Sequence, residues 1–573
     1  MREAKHTCDL CVVGGGMAGL LAAVAAARHG ARVVLVTDRP VLGGNASSEI
    51  RMHICGAHGA NVRETGILEE LLLENHYRNP EPAYSIWDSV LYGAAQYQEN
   101  LTLILNCSVN ACEMDGARIA SVSGWQMTTE TTHTVHASLF ADCSGDGILA
   151  PLSGAEFRIG REARSEYGES IAPEVADRKT MGMSCLLQGR ETDRKQTFTP
   201  PSWAHVYETD EELNKRGHGF GTNFWWIETG GEMDSIHDAE TCREDLLKIA
   251  FGVWDHIKNR GDHGADNWVL DWVGFLPGKR ESRRYVGDHV LTQNDVEAGG
   301  TFEDLVAYGG WSMDDHFPAG FYHPGRGTIF HPAPSPFGIP YRSLYSRNVE
   351  NLFCAGRNHS ATHAAMSATR VMGTTSMMGQ AVGTAAAIAT KHGTTPRRVC
   401  EGHLAALRQT LMDDDCYLPR NVRAVPHLTK SASVATSVAD GDPLRNGIDR
   451  PVGEEDNGWR AECGGCAEYQ FARTENITHA RIVFDSDLNR PTKNMRHNRP
   501  RDAEPFAVPA TLVRSFKIET ADASGAWSVA HRCENNYQRL VRVPLSVSAR
   551  AVRLVCESTW GAQDAHVFSF DVS

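Results

Sequence analysis

The sequence predicts an α/β chain that ends in an all-β tail. Three observations carry that expectation. Residues Asp9 to Asp38 read as strand, glycine turn, helix and strand; residues 64 to 105 look mainly helical before strand-like runs follow; and helical periodicity stops after Tyr417. At 573 residues the chain is too long for one hydrophobic core, so several units are expected.

Leu10 to Val13 is a short apolar run of the kind a buried parallel strand shows. It enters Gly14-Gly15-Gly16-Met17-Ala18-Gly19, and the alanine-rich stretch from Leu20 to His29 has no interior proline before Gly30 stops it. Arg32 to Thr37 is a second β-branched run. In such a unit Gly14 permits the tight turn, Gly16 lets backbone approach a pyrophosphate, and Gly19 lets helix and strand pack closely. The free N–H groups of the helix N-terminus then face the phosphates. Asp38, next to Arg39, stands where a ribose-binding acid is expected, one residue beyond the strand's end at Thr37. The opening is therefore a Rossmann-like dinucleotide fold.

With 41% hydrophobic and 22% charged residues the composition is that of a globular protein. A net charge of -15 argues against nucleic acid or an anionic membrane as partner. No apolar run is long enough to span a bilayer and the N-terminus shows no signal-peptide core, so a cytoplasmic location is expected. The fifteen scattered cysteines fit reduced thiols; Cys8/Cys11 and Cys463/Cys466 are read as coincidental pairs, and no metal site is assigned.

After the second strand, Gly43 and Gly44 leave room for a cofactor backbone, and Asn45, Ser47, Ser48 and Arg51 are polar donors beside them. His53, Cys55 and His58 follow. They lack a further ligand for a metal, and instead offer a proton carrier or a covalent attachment point. Residues 64 to 105 look mainly helical. Leu101 to Glu113, Ala117 to Gln126 and His133 to Ala141 read as an antiparallel meander running into Asp142-Cys143-Ser144-Gly145-Asp146-Gly147.

A first-strand GGGMAG, the following LGGN, a meander leading into DCSGDG, and a late NLFCAGRNHSATHAAMSATRVMGTTSMMGQAVG resemble the FAD-dependent oxidoreductase family. These are glutathione-reductase-like flavoproteins related to the fumarate reductase and succinate dehydrogenase branch. The resemblance covers about residues 8 to 415. It implies bound FAD, a discontinuous FAD-binding domain over 1–160 and 341–420, and an α+β substrate domain inserted at 161–340. It further implies FAD contacts at Gly14, Gly16, Met17, Ala18, Gly19, Asp38, Arg39, Gly43, Gly44, Asn45, Ser48, Arg51, Val109, Ser144, Gly145, Gly356 and Arg357. Gly379 and Gln380 would open the last helix near the flavin pyrimidine. Where many relatives carry an acid after the late glycine, this chain has Arg357.

The insertion holds Trp203, Trp225, Trp226, Trp254, Trp268, Trp272 and Trp311, the cationic run Gly278 to Arg284, and His316, His323 and His331. Aromatic faces stack on sugar rings as well as filling cores. Residues 430–573 break into short β-rich runs such as ARIVFDSDL and ARAVRLVCES, a β-sandwich that resembles galactose-binding-like modules. Such a module binds glycan or supports packing and self-association.

The expected activity is hydride transfer between a small polyhydroxylated substrate, carbohydrate or a derivative, and flavin N5. His53, His58 or His316 would be the base, with Arg280 and Arg283 orienting substrate. The electron acceptor and any homo-oligomer stay open. Two alternatives stand beside this reading: flavin-dependent reduction or formation of a carbon-carbon double bond in a small acid, and a carbohydrate-binding scaffold with structural FAD.

Overall fold

A computed structural model describes residues 2–438, 440–491 and 493–573. The chain divides into two compact units. One comprises Met1–Ala57, Pro82–Leu407 and Lys493–Pro505; the other comprises His58–Glu81, Arg408–Thr492 and Phe506–Ser573. The contiguous segments expected from the sequence therefore differ from these units in three places: residues 58–81 and 408–420 join the tail, and residues 493–505 return from the tail to the first unit.

The first unit is built on a sheet in which β1 (Arg2–Val13), β2 (Val33–Val36) and β3 (Leu101–Ile104) run parallel. β6 (Thr131–Asp142) pairs parallel with the other edge of β1. β5 (Arg118–Gln126) and β4 (Cys107–Asp115) extend it antiparallel, giving the order β3-β2-β1-β6-β5-β4. The apolar run Leu10–Val13 is only the end of β1, because β6 pairs with that strand from Arg2 onward. Likewise the expected run Leu101 to Glu113 splits: its first part joins the parallel sheet as β3 and its second opens the meander as β4. The late strand Leu352–Cys354 pairs parallel with the end of β6, so the two halves of the nucleotide fold meet there. Helix α1 (Met17–Arg28) is buried along nearly its whole length. A Cβ added at Gly379 or Gly383 of the long helix Met372–His392 would sit on the Ala18 or Ala22 carbonyl oxygen of α1, so these two helices touch backbone to backbone.

The insertion gathers around the helix Ala239–Asn259, whose Leu246, Ile249, Val253 and Trp254 form a core with Trp226, Phe224 and Trp268.

The second unit is an antiparallel β-sandwich of seven strands with its own core, centred on Trp459, Tyr469, Phe484, Phe516 and Phe570. Its longest strands, Cys466–Phe484 and Leu540–Thr559, shift register between Gln470 and Glu475 and again between Ile477 and His479. Buried ion pairs Arg490–Glu69 (2.6 Å) and Arg539–Asp415 (2.8 Å) fix residues 58–81 and 408–415 within this unit. No described helix is long and apolar enough to cross a membrane.

Candidate functional site

The first glycine turn builds the floor of a cleft of about 420 Å³. Gly14 has φ +104°, and a Cβ there would fall 2.5 Å from the Cys143 carbonyl and the Ser144 Cα, so the turn after β1 lies directly against the turn after β6. Gly19 does its expected work, since a Cβ there would strike the Gly14 carbonyl oxygen. Gly43 donates its N–H to the Gly15 carbonyl (2.8 Å) and also has φ +104°, which only glycine takes up readily. Gly16, Met17 and Ala18 open α1, whose N-terminus has no side-chain cap. The same holds for Val371 at the start of the long helix. Both helix ends therefore lack a side-chain cap; in the second the Gly373 N–H donates to the Cys55 carbonyl (2.7 Å), and this end brings Met372 and Thr375 to the wall.

Thirteen of the expected residues line this cleft: Gly14, Gly16, Met17, Ala18, Asp38, Arg39, Gly43, Gly44, Asn45, Ser144, Gly145, Gly356 and Arg357. Asp146 and Lys279 join them. Arg357 donates to Asp146 at 2.6 Å and Lys279 does so at 2.6 Å. Burial raises the Asp146 carboxyl, but those two cations outweigh it and hold the group below the usual carboxylate range. A cradle that side chains would fill, two uncapped helix ends and a set of cations are what a dinucleotide diphosphate requires, so the residues present fit FAD.

A second chamber of about 370 Å³ shares Asn45, Arg370 and Met372 with the cleft. His53 lies in it, with Nδ1 at 2.9 Å from Nε2 of His497 and Nε2 at 3.3 Å from the Cys55 Sγ. Burial, then the charges at His497 and Lys493, push the His53 imidazole well below its ordinary range; burial and Lys493 push His497 down to about 4. Both rings are thus neutral at pH 7, the state a base needs. His497 belongs to the returning segment, which Asn494 ties down by accepting from the Ile54 N–H (2.8 Å) and Asn498 by donating to the carbonyls of Phe220 and Thr222 (2.7 and 2.8 Å).

Opposite stands a charged wall. His316 places Nδ1 2.6 Å from Glu228 and Nε2 3.2 Å from Asp314, so both ring nitrogens are committed to carboxylates. Arg280 donates to the Trp225 carbonyl (3.0 Å) beside Glu228, and Arg370 donates to Asp314 (3.1 Å). Trp225 and Trp311 line the chamber. The other tryptophans do not: Trp226, Trp254 and Trp268 are core, and Trp272 stacks on Arg51.

Several expected residues lie elsewhere. His58 is exposed and is not among the residues that line the chamber. Arg283 donates to the Asp146 carbonyl (3.1 Å) and covers Phe157, away from the chamber lining. Arg51 is held between the Tyr84 and Trp272 rings and bonded to Gln188 (2.7 Å), and the Ser48 N–H donates to Asp88 (3.1 Å); neither lines the cleft. Val109 is part of the hydrophobic core of the sheet. The long helix begins at Met372, so Gly379 and Gln380 lie about two turns inside it, where Gly379 serves helix packing. The residues that sequence reasoning missed are Arg370, Lys493 and His497. The signal for the last two was a proline- and arginine-rich run, RPTKNMRHNRP, that breaks the strand pattern of the tail.

Residues 9–411 match the model of a family described as FAD dependent oxidoreductase. A comparison with curated proteins found no match. Among solved structures the chain resembles the family 32 carbohydrate-binding module of Streptococcus pneumoniae EndoD, at 13% identity over 26% of this chain and 97% of that one, with a TM-score of 0.20. It also resembles the family 32 module of C. perfringens NanJ in complex with galactose, at 7% identity over 25% and 95%, with a TM-score of 0.19.

Proposed function

The chain belongs to the FAD dependent oxidoreductase family, and from that premise we propose that it oxidises a hydroxyl-bearing carbon of a small polyhydroxylated substrate, a carbohydrate or a derivative, held in the His53 chamber. FAD, when bound, supplies a ring that accepts hydride. The residues that would hold it are the glycines at 14, 16, 43 and 44, the N-terminal turns of α1 and the long helix, and Arg39, Arg357 and Lys279.

Arg280 and Arg370 would hold substrate oxygens by N–H donation, while Trp225 and Trp311 offer apolar faces to ring carbons. His53 takes the hydroxyl proton at Nε2. The proton on Nδ1 then moves across 2.9 Å to His497, which stands 3.3 Å from the exposed Lys493. The observation that carries this reading is that a neutral imidazole pair lines a chamber opening on the glycine cleft through Asn45, Arg370 and Met372.

Anaerobic mixing of the yellow protein with sugars and polyols tests it: the flavin band bleaches with a substrate, and His53→Asn slows bleaching by about 10² to 10⁴ while flavin content is unchanged. The two arginines favour a second reading, a small unsaturated acid as electron acceptor. If no polyol bleaches the oxidised flavin but unsaturated acids reoxidise the reduced form, that second reading replaces the first.

A further inference from the structure

Three histidines and an aspartate outside the cleft and chamber converge on one point. The ligand atoms of Asp210, His218, His256 and His263 all lie within 4.8 Å of one another. The outward nitrogen of each imidazole faces a backbone carbonyl: His218 Nδ1 the Arg216 oxygen (2.8 Å), His256 Nδ1 the Tyr207 oxygen (2.9 Å), and His263 Nε2 the Arg260 oxygen (2.9 Å). A carbonyl only accepts, so each of these nitrogens carries the proton. The three inward nitrogens, His218 Nε2, His256 Nε2 and His263 Nδ1, then face one another, with His218 Nε2 at 3.1 Å from His263 Nδ1. Asp210 Oδ1 adds a negative charge 3.0 Å from His256 Nε2 and 3.7 Å from His218 Nε2. These four atoms are close enough together for one cation to bind them all.

We propose that Asp210, His218, His256 and His263 bind one Zn²⁺ ion. Zinc bonds of about 2.0 to 2.1 Å in a tetrahedron give ligand separations of about 3.3 Å, beside the 3.0, 3.1 and 3.7 Å of the three pairs above; the other pairs lie within 4.8 Å and would close in on the ion. Three imidazoles and one carboxylate suit borderline divalent ions, and the backbone carbonyls behind each ring are the outer partners that orient metal-binding histidines. Four protein ligands close the coordination sphere, so the site is structural. Its role follows from where it sits. Between Glu191 and Glu228 the chain forms no helix or strand, and this stretch carries Asn223 and Trp225 of the chamber. The ion would clamp it, through Asp210 and His218, to His256 on the helix Ala239–Asn259 and to His263 just beyond.

The test uses tag-free, full-length protein with FAD bound, stripped with a chelator, reloaded with Zn²⁺ and passed through gel filtration. About one zinc per chain is expected, and the His218→Ala/His263→Ala double variant, with its flavin retained, should hold at least tenfold less. Loading the wild-type chain with Co²⁺ gives a readout that needs no variant: intense visible bands of a tetrahedral ion at one equivalent. Absence of retained zinc in the wild type, equal zinc in the double variant, or only the faint bands of octahedral cobalt would each overturn the assignment.

Discussion

A methyl group added at Gly16 would meet no protein atom within 4 Å, whereas one at Gly14 would strike the turn after β6. Gly16 has φ -65°, within reach of any residue. The two glycines therefore separate folding from binding. Gly16→Ala should melt within about 0.5 kcal/mol of the parent yet retain less flavin, because its Cβ enters the space the cofactor needs. Gly14→Ala should fail to fold. Flavin absorbance per chain, set beside a thermal melt, checks both, and full flavin in Gly16→Ala would contradict the cleft assignment. The His53 pair makes a pH prediction at the same scale. The base proposed, His53, acts unprotonated and burial lowers its pKa, so kcat/KM should stay level as pH falls through 6.5 and decline only in more acidic buffer. A decline centred near 6.5 would point to an ordinary exposed histidine.

At the scale of elements, the long helix and the returning segment behave differently. Gly379→Ala drives a Cβ into the Ala18 carbonyl, and overpacking of this kind costs about 1 to 3 kcal/mol. It should lower the melting temperature and the flavin content together. Asn498 has three hydrogen bonds: its amide nitrogen donates to Phe220 and Thr222, and its oxygen accepts from the Gly189 N–H at 2.8 Å. Asn498→Ala should loosen the segment carrying His497, lowering kcat/KM about tenfold with flavin content unchanged; a loss of flavin would mean that the segment supports the cleft instead. The two elements also mark what the sequence discloses. The glycine turns were legible because backbone conformation and close approach demand glycine locally, whatever surrounds them. The helix start was misjudged by about two turns, because Gly379 signals contact with α1 rather than a terminus. The run RPTKNMRHNRP marks a break in the tail's strands, but the pairing of His497 with His53 was not legible: the two are 444 residues apart, and nothing local marks such a contact.

For the whole molecule, histidines set both limits of stability. His497 is lowered to about 4 and His359 to about 3 by burial, so the unfolded chain takes up protons first as pH falls below about 6.5. The folded state should lose stability from there downward. His363 behaves oppositely: burial lowers it, but Glu281 and Asp315 raise it to about 10, so its contribution is complete below about 6.5 and fades as pH climbs toward 10. Denaturant midpoints across pH should therefore peak between about 6.5 and 7, and His363→Gln should flatten the alkaline side. The sandwich was legible from strand alternation, but its true extent was not. A fragment 430–573 leaves Arg490 and Arg539 buried without Glu69 and Asp415, so it should be insoluble or unfolded where the full chain is not.

The interleaving of the two units also bears on how the protein is made. During synthesis the glycine turns, the long helix and His53 all leave the ribosome long before Lys493–Pro505, and the later unit must be largely translated before the earlier one can close. A nascent chain halted near residue 420 would carry a nearly complete nucleotide fold yet lack one wall of its reaction chamber. Competence for catalysis is thus an event late in translation, even if the cofactor is captured early.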